Sequence, residues 1–144
     1  MFGKLLATAA AFTLLAGAAG AATYDVKMLN KGEAGAMVFE PAFVKAQPGD
    51  TINFIATDKG HNAETIKGMM PEGAEGFKGG MGKDISVTLD KEGVYGVKCL
   101  PHYALGMVAL IQVGDPVNLD EAEDVKQRGK AAARFDDLFA QVAQ

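Results

Sequence analysis

Between Tyr24 and Val113 the chain breaks into short runs rich in Val, Ile, Phe, Tyr and Thr, at roughly 24–30, 37–40, 43–47, 51–57, 85–89, 94–99 and 107–113. Gly, Pro, Asn and Asp divide them. Runs this short and this regularly punctuated cannot build long helices, and they predict an all-β chain folded as an antiparallel sandwich or barrel. In 85–89, Ile85, Val87 and Leu89 face one way and Ser86 and Thr88 the other, so one face is buried and one is wet. Gln47-Pro48-Gly49-Asp50 and 90–93 read as turns. The stretch 60–83, loaded with Gly and Met, reads as a long loop with room for one short strand.

After Val113 the period changes from two to that of a helix. Asn118 ahead of Leu119-Asp120-Glu121 reads as a capping box, with acidic residues where a helix dipole favours them and Gly129 as the stop. A second helix is expected over 130–142, because Ala131, Phe135, Leu138, Phe139 and Val142 share one face. Those helices need an apolar surface, and the run 107–113 supplies one: Val108 and Leu110 oppose Ala109 and Ile111, so both faces of that strand are expected to be buried.

Residues 1–21 have the order of a secretory signal: Lys4, an apolar run over 5–15, then small residues at Ala19 and Ala21. Cleavage is expected before Ala22, with a short membrane anchor as the alternative. The rest, 22–144, is enough for a single domain, 22–114 forming the sandwich and 115–144 a helical extension. With 14 basic against 18 acidic side chains, nothing in the charge recommends nucleic acid as a partner.

The single cysteine, Cys99, needs explaining in an exported chain, because a lone thiol in an oxidising compartment has no partner within the chain. Cys99-Leu100-Pro101-His102 followed by Met107 spaces a thiolate, an imidazole and a thioether as C-x2-H-x4-M, in a loop between two strands. His61, the other histidine, follows the strand at 51–57. Two imidazoles and a thiolate in a plane, with a long weak thioether above, form the electron-transfer type 1 copper set. Zinc would use the His and Cys ligands but gains little from a thioether. Calcium and magnesium want oxygen. His61, Cys99, His102 and Met107 are therefore the expected ligands of one copper ion, with Met69, Met70 and Met81 as competitors for the axial place.

Parity along 94–99 points Cys99 inward with Tyr95 and Val97, and Lys98 toward solvent. His102, among Pro101, Tyr103, Ala104 and Leu105, is expected to bring its edge to an apolar surface, the shortest exit for an electron. Pro101 has no amide proton to donate to the thiolate. Asn62 is either a pin tying the His61 loop to the Cys99 loop or simply a turn residue. Lys59 and Lys98 lie close to ligands, and Lys31 and Lys78 lie in loops that could join them in a basic ring that steers an acidic partner. A thiol enzyme with Cys99 as nucleophile leaves Met107 unexplained, and no helix N-terminus is evident to activate the thiol. A copper-binding or storage module without a redox partner is the remaining alternative.

These residues resemble the cupredoxins, and among them the pseudoazurins: His61-Asn62 after a strand, Cys99-Leu100-Pro101-His102 with Met107, and two helices after the last strand. The resemblance covers essentially all of 22–144. It implies an eight-stranded Greek-key β-sandwich and a monomeric periplasmic electron carrier that is not an enzyme. It also implies docking through a lysine-ringed apolar patch around His102, with a copper-containing nitrite reductase or a c-type cytochrome as partner.

Overall fold

The structure, a computed structural model, describes residues 20–143. The signal reading of 1–21 therefore falls almost wholly outside the described residues. Eight strands form two facing sheets: β1 (Thr23–Gly32), β2 (Gly35–Glu40), β4 (Asp50–Ile55) and β6 (Ile85–Leu89) in one, in the order β2-β1-β4-β6. The other holds β3 (Phe43–Ala46), β5 (Glu64–Thr65), β7 (Gly93–Lys98) and β8 (Val108–Val113), in the order β3-β8-β7-β5. The short strand allowed for in 60–83 is β5.

One expectation needs correcting: the sheets are not purely antiparallel. β1 runs parallel to β4, with Val26 opposite Phe54, and β3 runs parallel to β8, with Val44 opposite Ile111. The reason is that the chain leaves the first sheet after Glu40 and joins the second at Phe43, so sequence neighbours are not always sheet neighbours. Alternation along a run reveals its buried face but not the direction of its partner.

The faces turned toward each other close on Val26, Met28, Phe54, Tyr95, Val97 and Ile111, and Phe39 meets Phe54 edge to face at 5.8 Å. All six residues of β8 are buried. Ala109, Ile111 and Val113 point into the sandwich, while Val108 and Leu110 point out, under the C-terminal helices α1 (Leu119–Glu123) and α2 (Ala131–Phe139). Ala131, Phe135 and Leu138 of α2 cover that outer face, as their spacing predicts.

The capping box does not form. Asn118 makes no side-chain cap; its Oδ1 accepts the Val94 N–H at 2.7 Å and its Nδ2 donates to the Val94 carbonyl at 2.9 Å. Sewing α1 to β7 satisfies both ends of a buried amide, which a cap would not. α1 ends at Glu123, well before Gly129, which at φ +50° turns the chain tightly against the Ala104 carbonyl before α2.

Candidate metal centre

Three of the expected ligands meet at one end of the sandwich. His61 Nδ1 lies 3.1 Å from His102 Nδ1 and 3.7 Å from Cys99 Sγ, and His102 Nδ1 lies 3.5 Å from the same sulfur. Donors about 2.0–2.3 Å from a common ion and spread about a plane stand roughly 3.1–3.8 Å apart. His61 and Cys99 are buried and His102 is half-buried. No carboxylate joins the cluster among the described residues, so the set is nitrogen and sulfur, which suits copper and not a hard cation.

Each donor is aimed by the fold. His61 Nε2 sits 2.8 Å from Asn30 Oδ1, an oxygen that can only accept, so the ring proton resides on Nε2 and the Nδ1 lone pair faces the cluster. Asn30 is itself fixed by its own N–H, which donates to Asp58 Oδ2 at 2.7 Å. Sequence reasoning missed Asn30, which acts from the far end of β1 and carries no local signal. Burial is the main force pushing the His61 pKa down; the His102 imidazole adds to it, against Asp58. Burial likewise pushes the Cys99 thiol up, the backbone amides of Asn62 and His102 pull it down, and Glu64 adds to the rise.

The loop from Cys99 to Met107 is closed at its neck by Cys99 N–H donating to the Met107 carbonyl at 3.0 Å and Met107 N–H donating to the His102 carbonyl at 3.2 Å. Between them runs a 3-10 turn, Leu100–Leu105, with Pro101 in its first turn and Gly106 at φ +89° closing it. Contrary to expectation, Cys99 does stand at the start of a helical turn. The turn is too short and irregular at His102 to outweigh burial, and the thiol is raised rather than activated.

Met107 is fully buried in the same interior cluster as Cys99. Two of its three rivals are placed otherwise. Met69 lies on the other side of β7, under the helices, where its sulfur accepts from Gln127 Nε2 at 3.2 Å. Met81 is 50 % exposed, and Met70, half-buried beside Gly76, packs against the same cluster as Cys99 and Met107. Asn62 links the two loops by hydrogen bonds: Oδ1 accepts the Leu100 N–H at 2.8 Å and Nδ2 donates to the Gly79 carbonyl at 3.2 Å.

Around His102 the surface is apolar, with Leu100 and Leu105 each 48 % exposed. All four lysines lie beside residues that build the site. Lys31 follows Asn30, Lys59 is two residues before His61, Lys78 precedes Gly79 and Lys98 precedes Cys99. Lys31, Lys59 and Lys78 are exposed; Lys98 is half-buried, its ammonium 5.1 Å over the Tyr103 ring.

Two packed sheets with a His-Cys-His cluster at one end define the class: a cupredoxin, built around one type 1 copper. The family described as copper binding proteins, plastocyanin/azurin family, matches residues 26–114. The chain is 56 % identical over 144 residues to a pseudoazurin of Paracoccus pantotrophus, covering 99 % of each chain. It superposes on the crystal structure of a pseudoazurin from Methylobacterium extorquens AM1 with a TM-score of 0.82 at 54 % identity, over 84 % of this chain and 99 % of that one. Native pseudoazurin from Hyphomicrobium denitrificans gives 0.82 at 49 %, over 85 % and 99 %. The chain belongs to the pseudoazurins, blue copper proteins that carry electrons and are not enzymes.

Proposed function

We propose that His61 Nδ1, Cys99 Sγ and His102 Nδ1 would hold the copper, with the Met107 thioether as a fourth, weaker donor. The observation that carries this assignment is the spacing of the three donors, 3.1 to 3.7 Å. A copper ion held there would supply one-electron Cu(I)/Cu(II) chemistry. The protein supplies the rest. Asn30 holds the His61 tautomer, the buried strand end fixes the sulfur, and Asn62 keeps the two ligand loops in register. A site fixed on both sides changes little in shape when its charge changes, which suits electron transfer.

The half-buried His102 ring, among Leu100, Leu105 and Pro101, is the exit to a partner. Lys31, Lys59, Lys78 and Lys98 form a basic rim on an otherwise acidic chain and steer an acidic redox protein onto that face. The reading extends to a periplasmic monomer, exported by residues 1–21 with 22–144 as its single domain. Its partner there is a copper-containing nitrite reductase or a c-type cytochrome. Among the described residues no helix is long and apolar enough to cross a membrane.

Titration of purified protein with Cu(II) tests the ligand set. One equivalent should give an intense blue or green thiolate-to-copper band, lost in Cys99→Ser and shifted in Met107→Leu. Absence of the band in the unaltered protein, or a Met107→Leu spectrum identical to it, defeats the assignment. Electron exchange with purified nitrite reductase or cytochrome c tests the carrier role; copper bound without exchange would leave a storage module.

A further inference from the structure

The carboxylate of Asp50, only 5 % exposed, meets two backbone amides: Oδ1 accepts the Ala22 N–H at 2.7 Å and Oδ2 the Gln47 N–H at 2.8 Å. Both donors are uncharged, and a buried carboxylate held by neutral amides alone is only partly compensated for lost water. Ala22 is also held at its other end, its carbonyl accepting the Thr51 N–H at 2.9 Å, and the β1–β4 ladder begins with the next residue, Thr23, opposite Thr51. Gly20 to Thr23 are all exposed, so it is these hydrogen bonds that fix the chain from Ala22 on, while a Cβ at Gly20 would meet nothing within 4 Å. The fold therefore takes hold of the chain at Ala22.

We propose that Asp50 is the receiving site for the α-ammonium group of Ala22, created when an export peptidase cuts the chain between Ala21 and Ala22. The proposal rests on the reading of 1–21 as a signal. In the cut, water adds across the Ala21–Ala22 peptide bond. The C–N bond breaks, the hydroxyl goes to the Ala21 carbonyl carbon, and the proton of the acid so formed passes to the Ala22 nitrogen. Ala21 leaves as a carboxylate and Ala22 becomes a cation 2.7 Å from Asp50 Oδ1. A hydrogen bond with one charged partner is replaced by one between two opposite charges. Cleavage thus tightens the junction of β1 with β4, so the cut chain is more stable than the uncut one.

The test compares copper-loaded chains starting at Ala22 and at Gly20 by chemical denaturation. The Ala22 chain should have an unfolding equilibrium constant roughly five- to ten-fold smaller. Acetylating the α-amine of the Ala22 chain should erase the difference, as should Asp50→Asn in both lengths. If Asp50→Asn does not fold, the acetylated chain decides alone. Equal stability of the two lengths, or a difference that survives acetylation, overturns the pairing. Mass determination of the exported protein's first residue separates the two premises. A start other than Ala22 refutes the cut and the proposal with it. A start at Ala22 with equal stabilities leaves the signal reading standing and refutes the role of Asp50.

Discussion

Asn62 Oδ1 accepts the backbone N–H of Leu100 at 2.8 Å, joining the residue after one ligand to the residue after another across 38 positions of sequence. The same side chain donates to Gly79 from a fully buried position, so it belongs to the frame of the site. Asn62→Ala leaves a buried carbonyl and an amide without their partner and should cost about 1–3 kcal/mol. The denaturation midpoint measures that cost. The copper band and the reduction potential should shift with it, because the side chain anchors the loop whose backbone N–H, that of Asn62, faces the thiolate. An unchanged midpoint together with an unchanged spectrum would reduce Asn62 to a turn residue.

A second connection reaches the ligand loop from the helical tail. Arg134 Nη1 donates to the carbonyls of Gly106 at 2.7 Å and Met37 at 2.8 Å, and Nη2 to that of Ala36 at 3.0 Å, so one guanidinium staples α2 to both the β2 edge and the residue before Met107. Arg134→Leu keeps much of the apolar stem but removes three donors. It should lower stability by about 2 kcal/mol and broaden or shift the copper band through Met107. Arg134→Lys, a point charge without the fork, should recover only part. Full recovery by lysine would show that charge alone matters there.

How much of this was legible in the sequence depends on the range of each interaction. Cys99, His102 and Met107 could be read together because one loop carries them, and His61 because no other histidine remained. Both faces of β8 could be read because alternation is local. Asn30 and Arg134 could not, since each acts on residues about 31 and 28 positions away through a contact that leaves no periodic trace. Asn118 shows the opposite failure. Its local pattern is that of a cap, but pairing with both backbone groups of Val94 satisfies more of its buried amide. The parallel pairing of β1 with β4 was hidden for the same reason, because direction is decided by where the chain changes sheets.

Pro101 stands in the first turn of the 3-10 segment after the thiolate and offers no amide proton. Pro101→Ala supplies one beside a sulfur that already has the amides of Asn62 and His102 near it. A further donor stabilises the electron-rich reduced site least through copper and most through the sulfur, weakening the thiolate's donation, so the reduction potential should rise. Voltammetry decides it; a midpoint equal to or below that of the unaltered protein refutes the mechanism.

If the four lysines form the proposed basic rim, charge should set the rate of exchange. Lys59 is exposed and Lys98 is tethered over Tyr103, both beside ligands. Lys59→Glu with Lys98→Glu should slow electron exchange with an acidic partner by roughly ten-fold or more at low salt and leave the copper spectrum unchanged. Added salt should slow the unaltered protein and narrow the gap between the two. A rate indifferent to both salt and charge would remove steering from the account.

The metal-free chain should be sensitive to both acid and base. Burial holds the folded His61 pKa below its unfolded value of about 6.5, so below that pH the unfolded chain binds more protons than the folded one, and stability falls as the pH drops through this window. Cys99 works the other way. Its folded pKa is raised, the unfolded thiol ionises from about 8.5, and stability falls as the pH rises beyond that point. Stability without copper should therefore peak between these two values. His61→Gln should flatten the acid limb, and Cys99→Ala the basic one. Copper would compete with the same protons, so the loaded protein should hold its midpoint further into acid than the metal-free one. Denaturation midpoints of the two forms across the pH range measure both effects. A metal-free profile that is flat below about 6.5 would show that burial of the His61 ring is not what separates its folded and unfolded states.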